Sequence, residues 1–177
     1  MDILFNSAPG FDQPLAVLKH CHDRIRKQLA TLDKLVQHLP GHGADQNARQ
    51  AAQAVLRYFT LAAPLHHEDE ELDLLPTLQA CASGEDAFLL SELLPIILRQ
   101  HEEMATQWQN LERQLQAIAD GSAAGLNAAD IARFAALYAE HMQIEETQIA
   151  PMAQRLFSAQ QMQALGAAMQ ARRGVAA

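Results

Sequence analysis

The chain has 177 residues, enough for one well-buried core and too few for two comfortable domains, so residues 1–177 are expected to form a single domain. Hydrophobic residues make up 49% but aromatics only 5%, and abundant alanine, leucine and glutamine favour helix over strand. A formal charge of −8 and a pI near 5.4 argue against a nucleic-acid or anionic-membrane surface, which needs a positive footprint.

No stretch approaches the roughly 18 apolar residues that a membrane span requires, and none reads as a secretion signal, so no membrane role is expected and the location is read as cytoplasmic. Cys21 and Cys81 lack CxxC spacing. Cys81 falls eleven residues beyond Glu70, about 16 Å along a helix, whereas Cys21 adjoins His22. If those ligands meet at one level the sulfurs are too far apart to bridge, and free thiols in a reducing compartment are expected.

In chain order, residues 1–11 read as a non-helical arm, with Pro9-Gly10 as a turn and Phe5 and Phe11 available to pack on the body. Asp12 is suited to cap a first helix and Pro14 to its first turn, giving a helix over about 13–39 that stops at Pro40-Gly41. A second helix over about 45–80 carries Pro64, where a kink or break is expected. Ser83-Gly84 separates it from a third helix, about 85–119, with an internal Pro95. After Asp120-Gly121-Ser122, Asn127 caps a fourth helix reaching about 157, and Ser158 opens a short amphipathic tail helix over about 158–172. Four long helices with short connections make an all-α, up-down-up-down four-helix bundle over about 12–157. Helices one and two resemble three and four at an offset of 75 to 79 residues.

The repeat carries chemistry. His66-His67-Glu68-Asp69-Glu70-Glu71 is followed by Pro76, and His141-Met142-Gln143-Ile144-Glu145-Glu146 by Pro151. In each copy a histidine precedes a doubled glutamate by four residues, so an imidazole and a carboxylate share one helix face. A symmetrical site needs one more histidine from each remaining helix. Helix three offers only His101, whose neighbours at −7, −4, +3, +7 and +10 are Leu94, Ile97, Met104, Trp108 and Leu111. The same offsets from His22 meet Leu15, Leu18, Ile25, Leu29 and Leu32, but from His20 they meet mostly polar residues. His22 therefore faces inward and His20 faces solvent or a neighbouring helix. His66/Glu70 matches His141/Glu145 in its distance to the proline and in a phenylalanine seven residues before, Phe59 and Phe134; the rival frame His67/Glu71 has Thr60 there.

The resulting metal set is His22, His66, Glu70, His101, His141 and Glu145. Unpaired burial of those carboxylates costs several kcal/mol each, and a bound cation is the simplest compensation. Glu71 and Glu146 read as flanking acids able to hold a ligand imidazole by its other N–H, and Tyr138 as packing near the site. Nitrogen and oxygen donors without thiolate suit iron, with manganese or zinc as substitutes. Two glutamates bridging two ions, two histidines on each and a solvent-derived oxo or hydroxo bridge would leave one vacant position per metal. There is no Gly-rich phosphate loop and no nucleophile with a base.

This ordered set, with paired glutamates and trailing prolines, resembles the hemerythrin-like HHE cation-binding family over about residues 12–157. The resemblance implies that His22, His66, His101 and His141 are terminal iron ligands and that Glu70 and Glu145 bridge two irons. Respiratory hemerythrins use five histidines with a Glu and an Asp; four histidines and two glutamates are more similar to iron-centre repair and iron-sensing members. The implied function is binding of dioxygen, nitric oxide or peroxide for sensing, storage or stress protection. The alternatives are a peroxidase-like or iron-centre repair enzyme, or a bundle whose metal is only structural. Either a monomer or a homodimer fits, since the tail helix can cap the bundle or make a dimer contact.

Overall fold

The computed structural model describes residues 8–175, and every regular element among them is helical. α1 spans Pro14–His42. A second rod over 46–81 joins α2 (Gln46–Arg57), α3 (Ala63–Asp69) and α4 (Leu75–Cys81) without a break, through π-turns at Tyr58–Ala62 and Glu70–Leu74. α5 spans Gly84–Asp120. The fourth rod joins α6 (Ala128–Ile144) to α7 (Ala150–Leu156) through a third π-turn, Glu145–Ile149, and the tail is α8 (Ala159–Arg172).

The rods pack in a ring, each against its neighbours in sequence and the fourth back against α1. Polar ties fix the antiparallel run of the third and fourth. Arg155 on α7 forks onto Asp86 at the start of α5, with contacts of 2.8 and 3.1 Å, while Asn110 and Gln114 near the end of α5 donate to Asp130 at the start of α6. Asn127 caps α6 by accepting from Ala129 and Asp130 N–H, and Ser158 caps α8 in a reciprocal box with Gln161. Gly43 and Gly121 end α1 and α5 at positive φ, 63° and 76°, Gly121 in the left-handed helical conformation.

Two expectations at α1 are corrected. Asp12 does not cap it: the N-cap is Gln13, without a side-chain hydrogen bond, and Pro14 lowers the need for one by lacking an N–H. Nor does the helix stop at Pro40-Gly41. Pro40 forfeits a single bond to the carbonyl one turn back so near the end, and the helix continues until the Gly43 N–H bonds the Leu39 carbonyl at 2.8 Å. Pro64 does not break the second rod, which continues through it, the π-turn before it accommodating the missing donor. Phe5 lies outside the described residues.

The apolar stripes form two packed masses. One, around Ile25, Leu32, Phe59, Leu111, Leu115 and Phe134, fills the half of the bundle near the 43–45 connection. The other, around Leu18, Leu75, Leu78, Ile97, Met152 and Met169, fills the half near the tail. A layer of buried polar residues divides them. α8 folds onto its own bundle: Leu165 and Met169 are buried, and Arg172 and Arg173 both pair with the fully buried Asp69 of α3, Arg173 Nη2 at 2.5 Å.

The N-terminal arm meets the tail at Gly166, where an added Cβ would stand 1.9 Å from the Phe11 carbonyl oxygen. A backbone atom cannot rotate away. Alanine gains up to about 1 kcal/mol of helix propensity, yet overpacking costs about 1–3 kcal/mol, so Gly166→Ala is expected to lower the melting temperature. Gly125→Ala, with no neighbour within 4 Å, leaves it unchanged or slightly raised; thermal unfolding followed by circular dichroism compares the two.

Candidate metal centre

The trailing prolines explain the local backbone. Each π-turn closes with an N–H reaching five residues back, Ala63 to Tyr58, Leu75 to Glu70 and Ala150 to Glu145, and the next residue is Pro64, Pro76 or Pro151. A proline in a regular helix removes a bond and crowds the carbonyl four residues earlier. The widened turn relieves that crowding. Two of the three π-turns begin at Glu70 and Glu145, the first glutamate of each doubled pair. Successive α-helical residues diverge by about 100°; a five-residue turn narrows that angle, so the first glutamate of a pair faces the centre while the second still reaches a histidine of another rod.

All six residues selected by register meet in the buried polar layer, each 4% exposed or less. His22, His66, Glu70 and Glu145 form one group of donor atoms lying within 4.8 Å of one another, and Glu70, His101, His141 and Glu145 form a second. Both groups share the two carboxylates. His22 Nε2 and His141 Nε2 lie 3.1 and 3.2 Å from Glu145 Oε2, and His101 Nε2 lies 3.3 Å from Glu70 Oε2. His66 Nε2 approaches Glu70 Oε1 to 3.1 Å without hydrogen-bonding geometry.

The second glutamate of each pair braces the lone histidine of another rod. Glu146 accepts from His22 Nδ1 at 2.9 Å, and Glu71 accepts from His101 Nδ1 at 2.6 Å. Gln100 Oε1 does the same for His141 Nδ1 at 3.1 Å. These bonds place the ring proton on Nδ1 and turn an Nε2 lone pair inward. His101 Nε2 and His141 Nε2 stand 3.2 Å apart.

Burial pushes His66, His67 and His101 below the ordinary imidazole range, keeping them neutral, with the neighbouring histidines adding to the shift. Burial, and then the charge of Glu145, drives the Glu70 carboxyl well above the ordinary range. Burial opposes ionisation of Glu145 too, but His141 and His22 overcome it and hold that carboxyl well below the usual range. Two adjacent buried carboxylates cannot both carry full charge unless something positive lies between them.

Sequence reasoning missed two residues. Gln100 lies three residues after Ile97 and four before Met104, so the apolar stripe that selected His101 also held its signal. His67 and Glu71 were weighed as a rival frame to His66/Glu70, but all four residues gather here. His67 stacks on His101, ring centroids 4.1 Å apart and planes at 11°, and shares a third group of metal-capable atoms with His101 and His141. His20 is partly exposed and enters none of these groups, and buried Tyr138 packs against Phe59 and Phe134.

A family profile described as the hemerythrin HHE cation binding domain matches residues 13–153. The chain belongs to the hemerythrin HHE family. A protein of Haemophilus influenzae, described only as uncharacterized, is 32% identical over 165 residues, 93% of this chain and 92% of its own length. The hemerythrin HHE assignment makes metal binding the expected property, and the donor set suits it. His66 Nδ1 and Nε2, Glu70 Oε2 and Glu145 Oε1 are buried without hydrogen-bond partners, a cost of about 1–3 kcal/mol for each such group that a cation would remove at the two carboxylate oxygens and at one His66 nitrogen.

Stability without metal and capacity for metal should therefore diverge. Burial and the charge of Glu145 both oppose ionisation of Glu70, and a neutral amide of the same shape escapes both, so metal-free Glu70→Gln is expected to melt no lower than the metal-free parent. On loading with ferrous iron the parent should gain stability and the variant much less, as read by calorimetry with and without metal.

Proposed function

We propose that this hemerythrin HHE protein is a non-haem di-iron protein whose metals are held by His22 and His66 on one side, His101 and His141 on the other, and the shared carboxylates of Glu70 and Glu145. The observation that carries the reading is the pair of four-donor groups sharing both carboxylates, with inward atoms that have only each other for company. Neutral imidazoles and carboxylates suit iron, with manganese or zinc as substitutes, and an oxo or hydroxo bridge would complete the pair. When bound, the metals supply redox change and an open position for dioxygen, nitric oxide or peroxide. The protein side chains orient the donors, fix their ring protons and exclude water.

An opening of about 350 Å³ supports access by a small molecule. Leu15, Leu18, Leu74 and Ile149 wall it with apolar surface, and it reaches His22, Glu70 and Glu145. Uncharged diatomics cross such a passage readily. We take the role to be sensing, storage or stress protection in the cytoplasm, in keeping with the free thiols Cys21 and Cys81.

Anaerobic iron loading followed by dioxygen or nitric oxide is expected to give new near-ultraviolet and visible charge-transfer absorption, lost in Glu70→Ala and Glu145→Ala. Loaded protein without any such change contradicts the proposal. Steady consumption of peroxide or nitric oxide, abolished in the same variants, would instead establish the enzymatic alternative, either peroxidase-like or iron-centre repair.

A further inference from the structure

A second opening, about 480 Å³, lies between α3 and α5 on the other side of the centre. Phe59, Met104 and Trp108 line its floor, buried His101 stands at its inner end, and exposed Glu71 and Glu102 stand at its mouth. His67 also lines it, with an Nε2 atom shielded from solvent and without a partner. Donor atoms of His67, His101 and His141 lie within 4.8 Å of one another.

Ring geometry decides what His67 can do there. The His67 and His101 planes are nearly parallel, 11° apart, at a centroid distance of 4.1 Å. An imidazole lone pair lies in its ring plane, so two stacked rings direct their lone pairs side by side. His67 is therefore not aligned to complete the set around an ion lying in the plane of His101, but it can hold an ion one step farther out. Resting on the di-iron reading, we propose that His67, at the foot of this acidic cleft, is a loading ligand that takes a divalent cation first and hands it across the stack to His101 and His141, in transit to Glu70 and Glu145.

The two groups share His101 and His141. Transfer thus moves the cation from the His67 imidazole to a set that includes both carboxylates, and attraction to those carboxylates draws it inward. Charge also distinguishes the two openings. No lysine or arginine lines the acidic cleft, although Glu68 on its wall is partly engaged by Arg172 Nε at 3.4 Å. At the apolar opening near His22, Lys19 and Arg26 stand 3.7 and 2.9 Å from Glu146, so that its carboxylate is already engaged and less available to an approaching cation. Carboxylates at a mouth raise the local concentration of counter-ions and their capture rate.

Trp108 is the only tryptophan of the chain and lies in the cleft, so its fluorescence reports a paramagnetic ion passing through. The test mixes metal-free full-length protein with ferrous iron anaerobically in a stopped-flow instrument, following Trp108 quenching and chelator-resistant iron. His67→Phe keeps a ring on His101 but removes the nitrogens; exposed Glu102→Gln leaves packing untouched. Both are expected to reach the parent's final iron content, with loading slowed about tenfold in His67→Phe and severalfold, at low salt, in Glu102→Gln. Unchanged rates in both variants would overturn the inference, as would a final content one iron lower in His67→Phe, which would make His67 a resident ligand. A parent chain that takes up no iron would sink the di-iron reading itself.

Discussion

Everything in this bundle is arranged around two carboxylates that have no business being buried together. Glu70 and Glu145 occupy the dry middle of the molecule, surrounded by four imidazoles, three of which have their outer nitrogens engaged by Glu146, Glu71 and Gln100. Without a cation the arrangement crowds two imidazole nitrogens together and two carboxyls together, and burial with the charge of Glu145 drives the Glu70 carboxyl well above its ordinary range. Two apolar masses, one on each side, supply the burial energy that holds this unfavourable layer in place. The cost of the layer is what makes it a receptor for metal.

The backbone solves a second problem with the same residues. A helix that must present one glutamate to the centre and the next to the outer nitrogen of a histidine on another rod needs a locally wider turn. The π-turns beginning at Glu70 and Glu145 supply it, and Pro76 and Pro151 favour it by withholding a donor that a regular helix would use. Asp69, next to Glu70 but buried beneath the tail, is tied to Arg172 and Arg173, so the tail fixes the ligand-bearing turn from behind.

Much of this was legible in the sequence. Glycine and proline punctuation marked four rods and a tail, because turn chemistry is local. Apolar offsets chose His22 over His20 and brought the six proposed ligands to one level, because helical register carries side-chain direction across several turns. Tertiary detail was less accessible. The continuation of α1 past Pro40 depends on how little one lost bond matters near a helix end. The choice between adjacent His66 and His67 assumed a regular helix, whereas the π-turn over 58–62 precedes them and both rings lie close to the other histidines of the centre. Whether the tail would fold back could not be read from its own pattern, since its anchor is a buried aspartate some hundred residues away.

The central claim is that Glu70 and Glu145 are shared by two metals. Mössbauer spectroscopy of protein titrated with ⁵⁷Fe and then oxidised tests it most directly. The account predicts uptake that ends at two irons per chain and a spectrum of exchange-coupled ferric ions with no net spin at low temperature. A single magnetically isolated ferric ion per chain, or iron that washes out on gel filtration, would contradict it.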